Sequence, residues 1–171
     1  MRYDTVVFDL DGTLLNTIRD LADAANYVCR AHGWPEHTLD EYRYFVGNGI
    51  PKLCQRFAPE TARDEASQKE VLAQFSARYA AHKEDTTAPY PGIPALLAHL
   101  KSEGKRLFVA TSKLDTMAER ILEHFGLAPY FDAICGAPEG DKEAGKKVNV
   151  VKAALKAAGC NDLSRAVMVG D

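Results

Sequence analysis

The sequence predicts an α/β fold in which a parallel sheet of Rossmann-like type carries an inserted all-helical domain. Short apolar runs alternate with helical patterns at the start of the chain and again from residue 86, as in parallel strands joined by crossover helices. Residues 15–85 show helical spacing alone, with no convincing strand. We therefore expect a core domain formed by residues 1–14 and 86–171, and a helical domain formed by residues 15–85.

The first strand ends in two acids and a turn. Residues 6–8 are apolar without polar alternation, which indicates a strand buried on both faces of the sheet. Asp9 and Asp11 follow at the carboxyl end of this strand, where ligand sites of open α/β sheets lie. Two carboxylates at such a place are costly unless a cation or a proton compensates them. Gly12 allows a sharp backbone turn beside a ligand.

Helical signals fill the inserted domain. A first amphipathic helix is predicted to end at residues 32–35, and Thr38 with Glu41 forms a capping-box pattern that begins a second. Pro51 suits the first turn of a third helix. A long fourth helix is predicted over about residues 62–83, with an apolar stripe formed by Val71, Leu72, Phe75 and Tyr79.

The α/β pattern resumes in the second half of the chain. Residues 106–111, 131–135 and 166–169 predict three further strands with helical segments between them. Ser112, followed by Asp115 three residues later, is predicted to cap the helix after the second strand. The short connections imply that all strands are parallel.

Polar side chains at the ends of these strands are predicted to converge, because the carboxyl ends of parallel strands share one edge of the sheet. These side chains belong to Asp9, Asp11, Thr111, Ser112 and Asp171. Lys146 and Lys147 begin the last helix, where a cation opposes the helix dipole. A residue that is unfavourable for local structure but lies beside a candidate site indicates function. The spacing from the lysines to the apolar stripe of the last helix favours Lys147.

This set of groups suits phosphoryl transfer. An ionised aspartate can attack phosphorus and form an aspartyl-phosphate. A hard divalent ion, for which we expect Mg²⁺, would remove the repulsion between several carboxylates and a phosphate. The predicted helix start at Ser112 would offer backbone N–H groups to phosphate oxygens. Asp11 lies close enough to Asp9 to feel its charge, which favours a protonated Asp11 as general acid.

Residues 9–13, Asp-Leu-Asp-Gly-Thr, match the D-x-D-G-T signature of haloacid dehalogenase (HAD) superfamily phosphatases. Over its whole length the chain resembles the phosphoglycolate phosphatase-like branch of that superfamily. The helical insertion resembles its cap domain, and residues 90–93, 109–113 and 169–171 are similar to its later motifs. True dehalogenases lack the second acid, so Asp11 argues against that chemistry.

The resemblance implies a role for each candidate residue. Asp9 is expected to be the nucleophile and a metal ligand, and Asp11 the acid/base that also lends a backbone carbonyl to the metal. Thr111 is expected to hold phosphate, Lys147 to stabilise charge, and Asp171 to bind Mg²⁺. The residues expected to contact substrate are Gly12, Ser112 and, from the cap, Asn48.

The predicted function is therefore a Mg²⁺-dependent phosphomonoesterase for a small phosphorylated metabolite, with phosphoglycolate as the leading substrate. A sugar-phosphate mutase shares the same motifs and is the alternative enzyme. The sequence stops at Asp171, where the family's fourth motif carries a second acid a few residues later. We therefore also consider a truncated chain with impaired metal binding, which would bind a phosphorylated ligand without turnover.

The amino-acid composition limits which classes of partner we expect for this chain. Apolar residues make up 46% and charged residues 26% of the chain, and the formal net charge is −3, so nothing indicates a nucleic-acid or membrane partner. No apolar stretch is long enough to span a bilayer. The four cysteines form no C-x-x-C pair, which is typical of reduced thiols and predicts a cytoplasmic location. A monomer or a homodimer is expected.

Overall fold

A computed structural model describes residues 3–141 and 143–170. The strands are β1 (Thr5–Phe8), β2 (Leu15–Asn16), β3 (Ala88–Pro89), β4 (Arg106–Leu114), β5 (Ala133–Ala137) and β6 (Ala166–Val169). The helices are α1 (Ile18–Ala31), α2 (Leu39–Phe45), α3 (Ile50–Phe57), α4 (Glu65–His82), α5 (Ile93–Ser102), α6 (Asp115–His124) and α7 (Lys147–Ala157). Within the described ranges, no helix is both long enough and apolar enough to cross a membrane.

Four strands form a parallel sheet in the order β5-β4-β1-β6. β1 therefore lies between two neighbours. Its last residue, Phe8, is in register with Val109 of β4 and Val169 of β6. The carboxyl ends of these three strands thus meet at one edge, and the predicted parallel α/β architecture is confirmed.

Alternate residues of β1 face two separate apolar cores. Val6 and Phe8 pack on one face with Leu97 of α5 and Ile121 of α6. Val7 packs on the other face, in a cluster with α7 residues. Burial on both faces explains why β1 is an uninterrupted apolar run, and it confirms that expectation.

The described chain separates into two compact units. One contains residues 17–87, and the other contains the sheet with the helices of the second half of the chain. In the helical unit, the core includes Tyr42, Phe57, Phe75 and Tyr79, all almost fully buried.

Local signals of the helical unit are largely reproduced. The capping box of α2 is present, since Thr38 Oγ1 accepts from Glu41 N while the Glu41 carboxylate accepts from Thr38 N. Pro51 lies in the first turn of α3 as predicted. α4 is shorter than predicted, because Asp64 caps its start and a 3₁₀ turn, Glu60–Ala62, precedes it.

Three element predictions were wrong. The stretch predicted to lack strands begins with β2, which pairs antiparallel with β3 and is too short to show any periodicity. β4 continues to Leu114, so Ser112 lies in a strand and does not cap a helix. α6 begins at Asp115 with no side-chain cap. The third strand was predicted at residues 131–135, and β5 begins and ends two residues later.

Candidate active site

Asp9 is the first residue after β1, at the edge where three strands end. Its backbone N–H donates to Val169 O of β6 at 2.9 Å. The residue after Val169 is Gly170, whose φ is +140°, and a Cβ built there would lie 2.6 Å from the Asp9 Cβ. Glycine is therefore needed at this position for β6 to end against Asp9.

The Asp9 carboxylate is held on both of its oxygens. Oδ1 accepts from Leu10 N at 2.8 Å, and Oδ2 forms an ion pair with Lys147 Nζ. Burial raises the pKa of Asp9 above its ordinary value, whereas Lys147 and the Leu10 N–H oppose the rise and the Asp11 charge adds to it. Two donors thus favour an ionised carboxylate in a place that otherwise disfavours it.

The structure distinguishes the two adjacent lysines. Lys147, the first residue of α7, reaches Asp9, whereas Lys146 points to Glu143 at 2.5 Å in an exposed pair. Lys147 is thus the lysine placed at the strand edge. A cation at the start of α7 interacts unfavourably with the helix dipole, and the ion pair between Lys147 and the buried Asp9 carboxylate offsets that cost.

Asp11 lies beside a second lysine. Its Oδ1 is 3.3 Å from Lys113 Nζ, and the Lys113 side chain is only 3% exposed. That distance satisfies an ion pair, but Asp11 Oδ1 is buried and has no hydrogen bond among the described residues. The contact is a close charge pair without hydrogen-bond alignment. An ammonium 3.3 Å from a carboxylate oxygen still interacts strongly in a buried site.

Thr111 and Ser112 lie near the end of β4. Thr111 is 1% exposed, and its Oγ1 accepts from Lys113 N at 3.1 Å. Its own hydroxyl hydrogen is therefore directed elsewhere, and can be donated to an anion. Ser112 is partly exposed in the same strand, so the helix-start N–H groups predicted there are not available.

The remaining candidates lie in separate places. Gly12 has a φ of +79°, and its N–H donates to Leu15 O at 2.9 Å in the turn after β1. Asn48 belongs to the helical unit, where its Oδ1 accepts from Arg56 at 2.8 Å. Asp171 lies outside the described residues, so its predicted role stays a prediction.

The residues present fit a hard divalent cation. Carboxylate oxygens are the ligands that Mg²⁺ prefers, and Asp9 at the end of β1 places one such carboxylate at the edge of the sheet, buried and paired with a cation. Within the described ranges no group of three or more His, Cys, Asp or Glu residues could hold a metal. Asp9 and Asp11 therefore supply only part of such a site.

Lys113 and Gly170 lie in the motif stretches 109–113 and 169–171, but neither residue was given a role of its own from the sequence. A β4 extended to Leu114 would have placed Lys113 two residues beyond Thr111, and so near the same face of the strand. The strand was instead expected to stop at a cap signal that proved wrong. Gly170 has no local signal, because the close approach of β6 to Asp9 is a tertiary contact.

Known proteins are similar to this chain over nearly its whole length. The family model described as haloacid dehalogenase-like hydrolase matches residues 6–171. Phosphoglycolate phosphatase from Caulobacter vibrioides is 39% identical over 171 residues, which are 98% of this chain and 70% of that protein.

Two crystal structures extend the similarity to the fold. One is a predicted phosphatase from Clostridium acetobutylicum, with a TM-score of 0.87 and 31% identity, covering 100% of this chain and 77% of that chain. The other is CbbY from Rhodobacter sphaeroides in complex with phosphate, with a TM-score of 0.75 and 27% identity, covering 97% of this chain and 76% of that chain. Each similarity extends over nearly all of this chain and so includes both units.

Proposed function

The chain belongs to the haloacid dehalogenase-like hydrolase family, and we propose that it removes the phosphoryl group from a small phosphate monoester through an aspartyl-phosphate on Asp9. It is a phosphoglycolate phosphatase-like hydrolase of phosphoric monoesters. The proposal adds the mechanism, the dependence on Mg²⁺ and the substrate, for which phosphoglycolate is the leading candidate because the similar Caulobacter protein carries that name.

The Asp9 carboxylate is the nucleophile. One of its oxygens attacks phosphorus, the bond between phosphorus and the leaving oxygen breaks, and an acyl phosphate forms on Asp9. The donors Leu10 N–H and Lys147 Nζ hold the carboxylate in place for this attack and favour its ionised form. Lys147 then faces the negative charge that develops on the transferring group, where a fixed cation stabilises it.

Asp11 moves the proton. It protonates the leaving oxygen in the first step and takes a proton from the attacking water in the second, when the acyl phosphate is hydrolysed. The Thr111 hydroxyl donates to a phosphate oxygen. Gly12, Ser112 and Asn48 are further substrate contacts in this proposal.

A Mg²⁺ ion would be held by Asp9, by Asp11 through its backbone carbonyl, and by Asp171. When bound, it would neutralise repulsion between these carboxylates and the phosphate and orient the substrate. Removal of the ion with a chelator should abolish turnover, and added Mg²⁺ should restore it.

The observation that carries the proposal is the buried Asp9 carboxylate, held by Lys147 where the central strands of the sheet end. The test is phosphate release from phosphoglycolate by Asp9→Asn, with Asp4→Asn as the control. Asp4 precedes β1 at its other end, where it pairs with Arg165 in an exposed contact.

We expect Asp9→Asn to lose at least about 10³-fold in kcat, because no covalent intermediate can form, and Asp4→Asn to keep its activity. Wild-type protein quenched in acid should carry a phosphoryl group on Asp9. Turnover by Asp9→Asn at the wild-type rate would overturn the nucleophile assignment. A bisphosphorylated product in place of free phosphate would favour a mutase.

The remaining features of the proposal concern the setting of the enzyme. The four cysteines are free thiols, two of them buried, which suits a reducing compartment such as the cytoplasm. The partner is a small phosphorylated metabolite, and the protein acts as a monomer or homodimer.

A further inference from the structure

Arg56 of α3 is a half-buried cation to which no role has been given so far. Its guanidinium reaches back to the end of α2, where Nη1 donates to Phe45 O at 2.8 Å and to Tyr44 O at 3.3 Å. The last carbonyls of a helix have no partner within the helix, and a cation at that end interacts favourably with the helix dipole. Arg56 therefore caps the C-terminal end of α2.

The second arm of the Arg56 guanidinium holds a side chain in the loop between α2 and α3. Its Nη2 donates to Asn48 Oδ1 at 2.8 Å. Asn48 lies between Gly47 and Gly49, whose φ values are +106° and +81°. Glycines allow the backbone many alternative conformations, and the hydrogen bond from Arg56 holds Asn48 in one of them.

The chemistry of the guanidinium decides which way the Asn48 amide faces. A guanidinium has only donors, whereas an amide side chain has an oxygen that accepts and an NH₂ group that donates. The oxygen must therefore face Arg56, and Nδ2 with its two N–H groups faces away. Because Asn48 is exposed, these donors are accessible to a ligand.

The charges around Asn48 favour an anionic acceptor. Residues 44–57 contain two basic side chains and no acidic one. In the proposed function, the residues that bind and transfer the phosphoryl group all belong to the unit that contains the sheet, whereas Asn48 belongs to the helical unit. The Asn48 donors are then left for the other part of the substrate, the leaving group, and phosphoglycolate carries a carboxylate there.

We infer that Arg56 is a positioning residue that holds Asn48 Oδ1 and so directs the Asn48 N–H groups to a carboxylate on the leaving group of the substrate. Arginine suits this task, since its planar fork donates in two fixed directions, to the end of α2 and to Asn48, whereas lysine presents a single ammonium. The inference rests on the proposed function, because it takes Asn48 as a substrate contact. It adds the residue pair that selects a charged leaving group over a neutral one.

A pair of substrates isolates this contact. Ethyl phosphate is close in size to phosphoglycolate, with a methyl group in place of the carboxylate. We define the selectivity ratio as kcat/KM on phosphoglycolate divided by kcat/KM on ethyl phosphate. Measured in one preparation, this ratio does not depend on the fraction of enzyme that is folded, so an arginine that only stabilises α2 would not affect it.

The experiment compares Arg56→Lys, Asn48→Ala and the double variant with the wild type. We expect the selectivity ratio to fall by about 10-fold in each single variant, through a higher KM for phosphoglycolate, because a hydrogen bond to a charged group contributes about that factor. The double variant should be no worse than Asn48→Ala, because Arg56 acts through Asn48. Asn48→Asp keeps an acceptor for Arg56 but replaces the donors with negative charge, and should lower the ratio further.

Arg43→Lys is the matched control and should keep the wild-type ratio, since Arg43 lies in the last turn of α2 but forms an exposed pair with Asp40 at 3.1 Å. A wild-type ratio in Arg56→Lys or in Asn48→Asp would overturn the inference, as would a double variant in which the two losses multiply. Each of these results leaves the proposed function intact. Wild-type turnover by Asp9→Asn, or no phosphate release from either ester by the wild type, would instead refute the proposed function and the inference with it.

Discussion

At the scale of single residues, the site consists of two carboxylates that each face one lysine. Asp9 is paired with Lys147, and Asp11 with Lys113. The two cations come from different elements, since Lys147 begins α7 and Lys113 lies in β4. Each pair lowers the cost of holding negative charge away from water.

The lysine assignment can be tested by substituting each neighbour in turn. Lys147→Met should lose about 10²–10³-fold in kcat, because a fixed cation at the transferring group is removed. Lys146→Met should stay near the wild-type rate, because the Lys146 pair with Glu143 is exposed. Phosphate release at saturating substrate measures both, and a larger loss in Lys146→Met would contradict the assignment.

At the scale of elements, caps decide where several helices begin. α2 starts at a complete capping box, and Glu41 accepts from both the N–H and the hydroxyl of Thr38. α6 has no side-chain cap, because its N-cap residue is Leu114, and the Asp115 carboxylate in its first turn accepts from Gly136 N of β5. The cap signal at Thr38 thus forms its hydrogen bonds within its own helix, whereas Asp115, part of the second cap signal, forms a hydrogen bond with a neighbouring strand.

The capping box predicts a pH dependence of stability. The hydrogen bonds from the Thr38 backbone and hydroxyl, with a smaller contribution from His37, lower the pKa of Glu41 from 4.5 to about 2. The unfolded chain therefore binds more protons between these values, so the stabilisation is complete above pH 4.5 and is lost as the pH falls toward 2.

We expect Glu41→Gln to melt at a lower temperature than the wild type at about pH 5, and the difference to shrink toward about pH 2. Glu119→Gln, at an exposed position of α6, serves as the control and should melt like the wild type at both values. A melting difference for Glu41→Gln that stays constant over this range would contradict the pKa direction.

At the scale of the whole molecule, the described chain contains two compact units. The Asp20 side chain of α1 connects the two ends of the helical unit through hydrogen bonds. This buried carboxylate accepts from the backbone and the hydroxyl of both Thr86 and Thr87, at 2.5 to 3.1 Å. Asp20 thereby joins the first turn of the unit to its last residues.

Substitution of Asp20 should loosen one unit and leave the other protected. Asp20→Ala removes the acceptor for two backbone N–H groups, at a cost of about 3 kcal/mol, so amide exchange in residues 17–87 should accelerate about 100-fold. Exchange in β1 and β4 should not change. Asp23→Ala, one turn further along α1 and exposed, is the matched control.

Native-state hydrogen exchange measured by mass spectrometry separates these regions. An equal acceleration in both units of Asp20→Ala would show that they unfold together. The same acceleration in Asp23→Ala would show that the effect does not depend on the buried carboxylate.

The sequence alone determined the fold class, the helical signals and the family resemblance, because these depend on spacing along the chain. The buried run before Asp9, the D-x-D-G-T signature and the capping box at Thr38 are all local patterns. Each imposes a backbone period or a hydrogen bond within a few residues, which makes it readable without the fold.

The tertiary structure decided which side chains meet at the edge of the sheet. The strand order and register bring Gly170 against Asp9, the start of α7 brings Lys147 and not Lys146 to that carboxylate, and the extension of β4 buries Lys113 beside Asp11. These contacts join residues far apart in the chain, and their geometry follows from how strands pair and helices pack. No local pattern specifies them, because the energy of a buried charge depends on the partner that the fold places next to it.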